Sequence, residues 1–486
     1  MSATLLFSFV IGYFLLLLGV AWYTSRNSNN DSFFIGNRSS NWMLVSFGMI
    51  GTSLSGVTFV SVPGTVGSNA FGYFQVVMGY LIGYFVIAFI LLPLYYKLNL
   101  TSIYNYLLKR FGNTAYKTGA LFFIVSRVLG ATARLYLVIN VLQLFILDNL
   151  HVPFPLTTFI ILLMILLYTF EGGVKTIVFT DTLQTTFMLL GLVVCIFYIM
   201  HALDFSFGQT MQELSNKGYT RIISTDLNSG NFFLKQIIGG MFITIGMTGL
   251  DQEMMQKNIS VKNLKDSQKN MITFSFVLVL VNFLFLLLGG LLYLFASTKN
   301  VAIKGDDLFP TIALGYLPSF VSIIFIIGLI SALFPSADGA LTALTSSFCI
   351  DILGLKRRSD LDERQKKKTR LTVHLIFAFI FFLCVMIFKW INNKSIIDVI
   401  LKVAGFTYGP LLALFAFGIF TKRKLREGFP VLFVCILAPA LCYYLSTHST
   451  VWLNGFQIGI ELLLINAVIT FIGLWLISTP AEKLSK

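Results

Sequence analysis

The chain has 486 residues, 56% of them hydrophobic and only 12% charged, with a net charge of +14. Soluble domains carry about 25% charged residues, so a water-soluble globular fold is excluded. Apolar runs of about 20 residues recur along the whole length, the mark of an all-α integral membrane protein. The positive charge is expected in cytoplasmic loops facing anionic membrane lipid, and not on nucleic acid. Neither Cys195, Cys349, Cys384, Cys435 and Cys442 nor the histidines have metal-site or redox spacing.

The first apolar run, 3–23, has no basic residue before it, no small-residue cleavage site, and Arg26 after it. It reads as a first span with the N-terminus outside, not as a cleaved signal peptide. Further spans are expected at about 42–64, 70–96, 118–148, 154–171, 178–202, 236–256, 271–297, 319–347, 371–391, 398–420, 429–446 and 455–477, which makes 13 and leaves the C-terminus inside. With this topology basic residues on the cytoplasmic side outnumber those outside about threefold, the bias that sets orientation. No soluble domain stands apart, so 1–486 reads as one transmembrane domain. The charge run 355–370 reads as a solvated cytoplasmic connector.

The second span, VSFGMIGTSLSGVTFVSVPG (45–64), is interrupted by Gly48, Gly51 and Gly56 and carries Thr52, Ser53, Ser55 and Thr58. Glycine weakens a helix, and hydroxyl side chains compete for backbone hydrogen bonds. Two readings stand: a broken helix with carbonyls free near Gly51 to Leu54, or a close helix contact through small residues. In the fourth span Arg127 and Arg134 are seven apart and share a face. A guanidinium fork suits a carboxylate; the alternatives are an internal ion pair and snorkelling.

Gly172 and Gly173 are expected to end the fifth span and turn the chain back. Asp181 then opens the sixth, as a cation or proton ligand or as a first-turn acid. The seventh span has Gly239, Gly240, Gly246 and Gly249 in mid-run and reads as a second broken helix. Interrupted segments at comparable places in two halves point to an inverted-repeat transporter. The ninth span holds Pro335, which frees a carbonyl near Ser331, then Ser336 and Asp338. Asp338, Thr342 and Thr345 share one face, and a carboxylate in hydrocarbon needs a cation, a proton or an arginine.

These features resemble the sodium:solute symporter family over most of the chain. The resemblance rests on GTSLSGVTF (51–59), YTFEGGVKTIVFTDTLQ (168–184), GLDQEMMQKNISVKNLKDSQK (249–269) and the small-residue ninth span ending in Asp351. It implies 13 helices in a LeuT-type 5+5 inverted repeat. Spans 2–6 and 7–11 would form the repeats (about 40–202 and 236–420), helices 2 and 7 would be broken, and spans 1, 12 and 13 would be extra. It also implies alternating access driven by Na+ in a bacterial-type inner membrane, with a monomer sufficient.

By position, the family's principal sodium site matches Gly51, Leu54, Ala332 and Ser336, with Pro335 replacing a first hydroxyl. A second sodium site in some relatives matches Asp181 and, in place of serines, Asp338 and Gly339. In the family's sialic acid carriers an arginine and polar groups hold the substrate; they match Arg134, Ser55, Thr58 and, across a gap, Gln75. The glutamine and glutamate of the sugar carriers are absent, at Thr58 and near Val77. The resemblance therefore implies a small organic anion, sialic acid first. Alternatives are proton coupling, another small solute, or a channel. An enzyme would need a nucleophile–base pair or metal cluster, and the sequence offers neither.

Overall fold

The computed structural model describes residues 3–25, 40–391 and 396–480, with the backbone alone for 170–175. Arg26 and the chain end fall outside that range. The protein is a helical bundle in which large apolar side chains such as Trp22, Phe89, Phe197 and Phe379 face outward, as lipid-facing surfaces require.

In chain order the helices are α1 (Ala3–Ser25), α2 (Trp42–Ser53), α3 (Gly56–Asn69), α4 (Tyr73–Lys97), α5 (Asn105–Phe111), α6 (Asn113–Leu142) and α7 (Phe154–Ala202). There follow α8 (Phe207–Asn216), α9 (Phe233–Gly249), α10 (Gln252–Ile259), α11 (Leu264–Thr298), α12 (Leu308–Gly315) and α13 (Ser319–Ile352). The last are α14 (Glu363–Ile391), α15 (Ile396–Phe420), α16 (Phe429–Trp452) and α17 (Leu462–Ile477). Among the described residues 9 helices are long and apolar enough to cross a membrane, or up to 11 with two bent pairs counted as spans. Phe154–Thr169 and Leu462–Ile477 are shorter apolar stretches.

Both expected broken helices are broken. α2 and α3 meet at 55° across Leu54–Ser55, and α9 and α10 at 65° across Leu250–Asp251. The glycines are used in two ways. A Cβ on Gly79 or Gly240 would strike the backbone of Ile237 or Val76 respectively, so these two lock α4 against α9. Gly249 sits at the break itself. In mid-run, then, glycine marks close packing as often as interruption.

The helical hydrogen-bond pattern of α7 runs on through Gly172 and Gly173, and the chain still reverses there as expected. Tyr168 lies within interaction range of Gln184 and Asp181, whereas a straight helix would set Tyr168 and Gln184 about 24 Å apart. Pro335 stays inside α13 without ending it.

α13 is the central element. It packs against α7, α6, α14 and both halves of the first broken helix, and its segment 328–347 is buried throughout. At one end of the bundle the Asp351 carboxylate accepts hydrogen bonds from Ser102 (2.9 Å), Ser347 (2.7 Å) and Tyr116 (2.8 Å). Arg357 in turn donates to the Tyr116 hydroxyl at 2.8 Å. This fully paired cluster ties the loop before α5 and the start of α6 to the end of α13.

Candidate substrate and cation sites

A broken helix leaves backbone groups without partners, and the two breaks treat them differently. At the second, Tyr95 donates to the Gly249 carbonyl (2.7 Å) and Tyr104 to the Leu250 carbonyl (2.8 Å). Asp251 caps α10 by accepting from the backbone N–H of Glu253 (2.9 Å) and Met254 (3.2 Å). The second break is thus satisfied by the protein. At the first, Leu54 N–H closes α2 on the Ile50 carbonyl at 2.8 Å. Among the described residues no hydrogen bond ends on the carbonyls of Gly51, Thr52, Ser53 or Leu54. Gly51 and Leu54 are buried.

α13 packs on this break. Ala332 and Ser336 are buried on it, and the Ser336 hydroxyl donates to the Leu333 carbonyl at 2.8 Å. Its donor is therefore engaged while its lone pairs remain available. Buried oxygens with unused lone pairs are a hard-cation donor set, so these residues fit a sodium ion.

Beside the first broken helix lies a cavity of about 100 Å³. Ser55 and Thr58 line it from the first broken helix, and Arg127 and Arg134 from α6. Tyr73, Tyr80 and Tyr84 line it from α4, and Thr244, Thr248 and Asn282 from α9 and α11. Sequence reasoning missed the three tyrosines. Their spacing of seven and four puts them on one helix face, which was the available signal. Gln75 does not line the cavity. It sits about 200° around the helix from Tyr73, where it donates to the Gly72 carbonyl (3.0 Å) and accepts from Ser224 N–H (3.2 Å).

The two arginines differ. Arg127 is ion-paired with Glu253 and lies 3.8 Å from Asp251, the internal pairing that was one of its three readings. Among the described residues none forms a hydrogen bond or ion pair with Arg134.

Asp181 and Asp338 are both fully buried. Asp181 Oδ2 accepts from Lys257 Nζ at 2.7 Å and from Thr52 at 3.1 Å. Lys257 also donates to Thr52 at 2.6 Å and lies 3.5 Å from Glu253. The sequence reading missed Lys257, because its partner lies on a remote helix. Asp338 accepts from the Tyr168 hydroxyl at 2.6 Å and from Gly339 N–H. Asp181 Oδ1, both polar atoms of Gln184, Thr185 Oγ1 and Thr342 Oγ1 are buried without hydrogen-bond partners. Thr345 is used otherwise, against His374 at 2.9 Å. Among the described residues no group of three or more His, Cys, Asp or Glu side chains is arranged to hold a metal.

The arrangement combines open carbonyls at one broken helix, a small polar cavity with an unpaired arginine, and a buried ion-pair chain. Comparison with known proteins agrees with it. The chain is similar to the sodium/sialic acid symporter SiaT of Proteus mirabilis, at 24% identity over 86% of this chain and 85% of that protein. It is similar to the sodium/sialic acid symporter NanT of Aliivibrio fischeri, at 22% over 84% and 81%. It also matches the rabbit (Oryctolagus cuniculus) sodium/glucose cotransporter 1, at 21% over 87% and 69%. Its fold is that of a Na+-coupled sialic acid symporter solved in a substrate-bound outward-open state, with a TM-score of 0.83, 18% identity and 97% of each chain covered. The model of the sodium:solute symporter family matches residues 33–429, and the chain belongs to that family.

Proposed function

We propose that the protein is a secondary active importer of a small carboxylate-bearing solute of the sialic acid type, working by alternating access. The observation that carries this reading is Arg134, a cavity-lining guanidinium with no hydrogen-bond or ion-pair partner among the described residues. A guanidinium in a partly desolvated cavity is best matched by a carboxylate in a two-pronged hydrogen bond. Ser55 and Thr58, with the three tyrosines, supply hydroxyls for a polyhydroxylated body. The names of the sialic acid relatives point the same way.

In this reading the coupling Na+ is held by the Gly51 and Leu54 carbonyls with Ala332 and Ser336, joining the first broken helix to α13. An ion that prefers one of two conformations shifts the equilibrium toward it by its differential affinity. That preference would organise Ser55 and Thr58, next in the chain to Leu54, for the solute. Asp181 and Asp338 are the candidates for a second cation, with Gln184 and Thr342 as neutral partners and Lys257 competing for Asp181. The chain would form one domain of 13 spans, repeats about 40–202 and 236–420, with the N-terminus outside and the C-terminus cytoplasmic.

A second reading is a smaller carboxylate. The cavity of about 100 Å³ is below the roughly 300–1,000 Å³ of ordinary small-molecule pockets. Uptake of labelled sialic acid into proteoliposomes, with an inward sodium gradient or with potassium instead, tests both. Sodium-dependent accumulation abolished in Arg134→Ala supports the proposal. Absence of uptake with sialic acid, together with sodium-dependent uptake of lactate or pyruvate, selects the second reading. Undiminished uptake in Arg134→Ala overturns both.

A further inference from the structure

Two adjoining cavities lie on the flank of the bundle. The first is a slot of about 390 Å³ between α4, α9, α15 and α17, with Ile90, Phe242, Leu412, Phe420 and Val468 among its walls. Every side chain lining it is apolar. It reaches Ile245 and Leu250, at the second broken helix. The other is a cleft of about 450 Å³ at the end of α4, where Lys97, Lys109 and Arg110 gather beside Leu94 and Tyr106. Ile90 and Ile419 line both cavities, so slot and cleft adjoin across these two side chains.

The basic end is partly built and partly free. Arg110 is anchored by donating to the carbonyls of Gly418 (3.3 Å) and Thr421 (2.6 Å), and its guanidinium lies 4.7 Å from the centre of the Phe111 ring. Lys109 donates to the Leu98 carbonyl at 3.1 Å. Lys97 and Lys109 are exposed. Among the described residues no Asp or Glu lines either cavity.

A long apolar slot in a lipid-facing wall that ends in three cations complements an amphiphile with an anionic head. An apolar slot takes acyl methylenes by van der Waals packing, since lipid tails are as apolar as its walls, and basic pockets between spans attract anionic head groups. We propose that this groove binds one anionic phospholipid. Its phosphate sits among Lys97, Lys109 and Arg110, and one acyl chain runs along Ile90 and Ile419 toward Leu250. The acyl chain then lies against the bend between α9 and α10, so the bound lipid supports that bend and transport depends on it.

The test is native mass spectrometry of the purified full-length protein exchanged into phosphatidylglycerol or phosphatidylcholine. One retained phosphatidylglycerol per chain is expected, with phosphatidylcholine lost. The doubly substituted Lys97→Gln, Lys109→Gln protein changes only exposed side chains, and its retention is expected to fall roughly 10- to 30-fold. Val468→Trp narrows the slot without touching a cation and is expected to lower retention as well. Uptake in phosphatidylcholine vesicles is expected to rise several-fold when phosphatidylglycerol is added, in the parent protein but not in the double variant. Equal retention of the two lipids, or unchanged retention in both variants, overturns the proposal. So does displacement by glycerophosphoglycerol, which has a head group but no acyl chains, since that would mean a phosphate site without a lipid.

Discussion

Lys257 Nζ stands 2.7 Å from Asp181 Oδ2, and neither side chain is more than 4% exposed. The pair fastens α10, the short half of the second broken helix, to α7, and Thr52 beside it brings in the first broken helix. Removing one member of a buried pair leaves an uncompensated charge and costs about 3–5 kcal/mol. Lys257→Met is therefore expected to lower the melting temperature in detergent sharply. Adding Asp181→Asn to it should restore much of the loss. Simple additivity of the two single losses in a double-mutant cycle would show that the residues do not act as a pair.

Gly339 stands where Glu253 needs room. A Cβ at that position would overlap Glu253 Oε1, and Glu253 bridges Arg127 and Lys257. Gly339→Ala is expected to displace the bridge and cost about 1–3 kcal/mol, as overpacking in a filled core does. In a Glu253→Ala background the same substitution should cost little. Thermal unfolding of the four proteins distinguishes steric conflict with Glu253 from a general intolerance of alanine.

Ser336 donates its proton to Leu333, so its contribution to a cation is its lone pairs. Ser336→Ala is expected to raise the sodium concentration for half-maximal uptake about 10-fold, the size of one hydrogen bond to a charged group. Melting in potassium should be unchanged within about 1 kcal/mol. Pro335→Ser, which adds a hydroxyl next to it, is expected to shift the sodium dependence the opposite way. Identical sodium curves for all three proteins would remove Ser336 from the ion site.

Asp306 lies outside the spans, in the turn 305–307 that covers the end of α3. Tyr293 donates to the Gly64 carbonyl there at 2.8 Å, and Asp306 accepts from Ile396 N–H, at the start of α15, at 3.5 Å. Burial pushes its carboxyl up from 3.8 to about 6, and the nearby Asp307 and Asp398 add to the rise. A carboxyl whose folded value is raised contributes stability that is full below the unfolded value and is lost as pH rises through the folded one. The window here runs from 3.8 to about 6. The parent protein is expected to gain stability relative to Asp306→Asn as pH falls from about 7 to about 5. Parallel melting curves across that range would show that Asp306 does not titrate in it.

The broken second span was legible because glycines and hydroxyls have no purpose in a lipid-facing helix. Arg127 and Arg134 were legible as a pair on one face but not as different residues. The difference comes from Asp251 and Glu253, which are more than a hundred positions away and come within ion-pair distance of Arg127. Gln75 was misplaced for a related reason: spacing along α4 fixes its angle relative to Tyr73, but not which side of the helix meets the cavity.

Local pattern alone decides that this chain is a membrane bundle and which two of its segments break. Hydrophobic length and backbone propensity are properties of consecutive residues. Tertiary packing decides what becomes of each polar group inside the bundle. Tyr95 and Tyr104 close the carbonyls of one break while those from Gly51 to Leu54 stay open. Lys257 meets Asp181, and among the described residues Arg134 has no hydrogen-bond or ion-pair partner. A buried charge or carbonyl is defined by what stands within about 4 Å of it, and in this protein that neighbour comes from another helix.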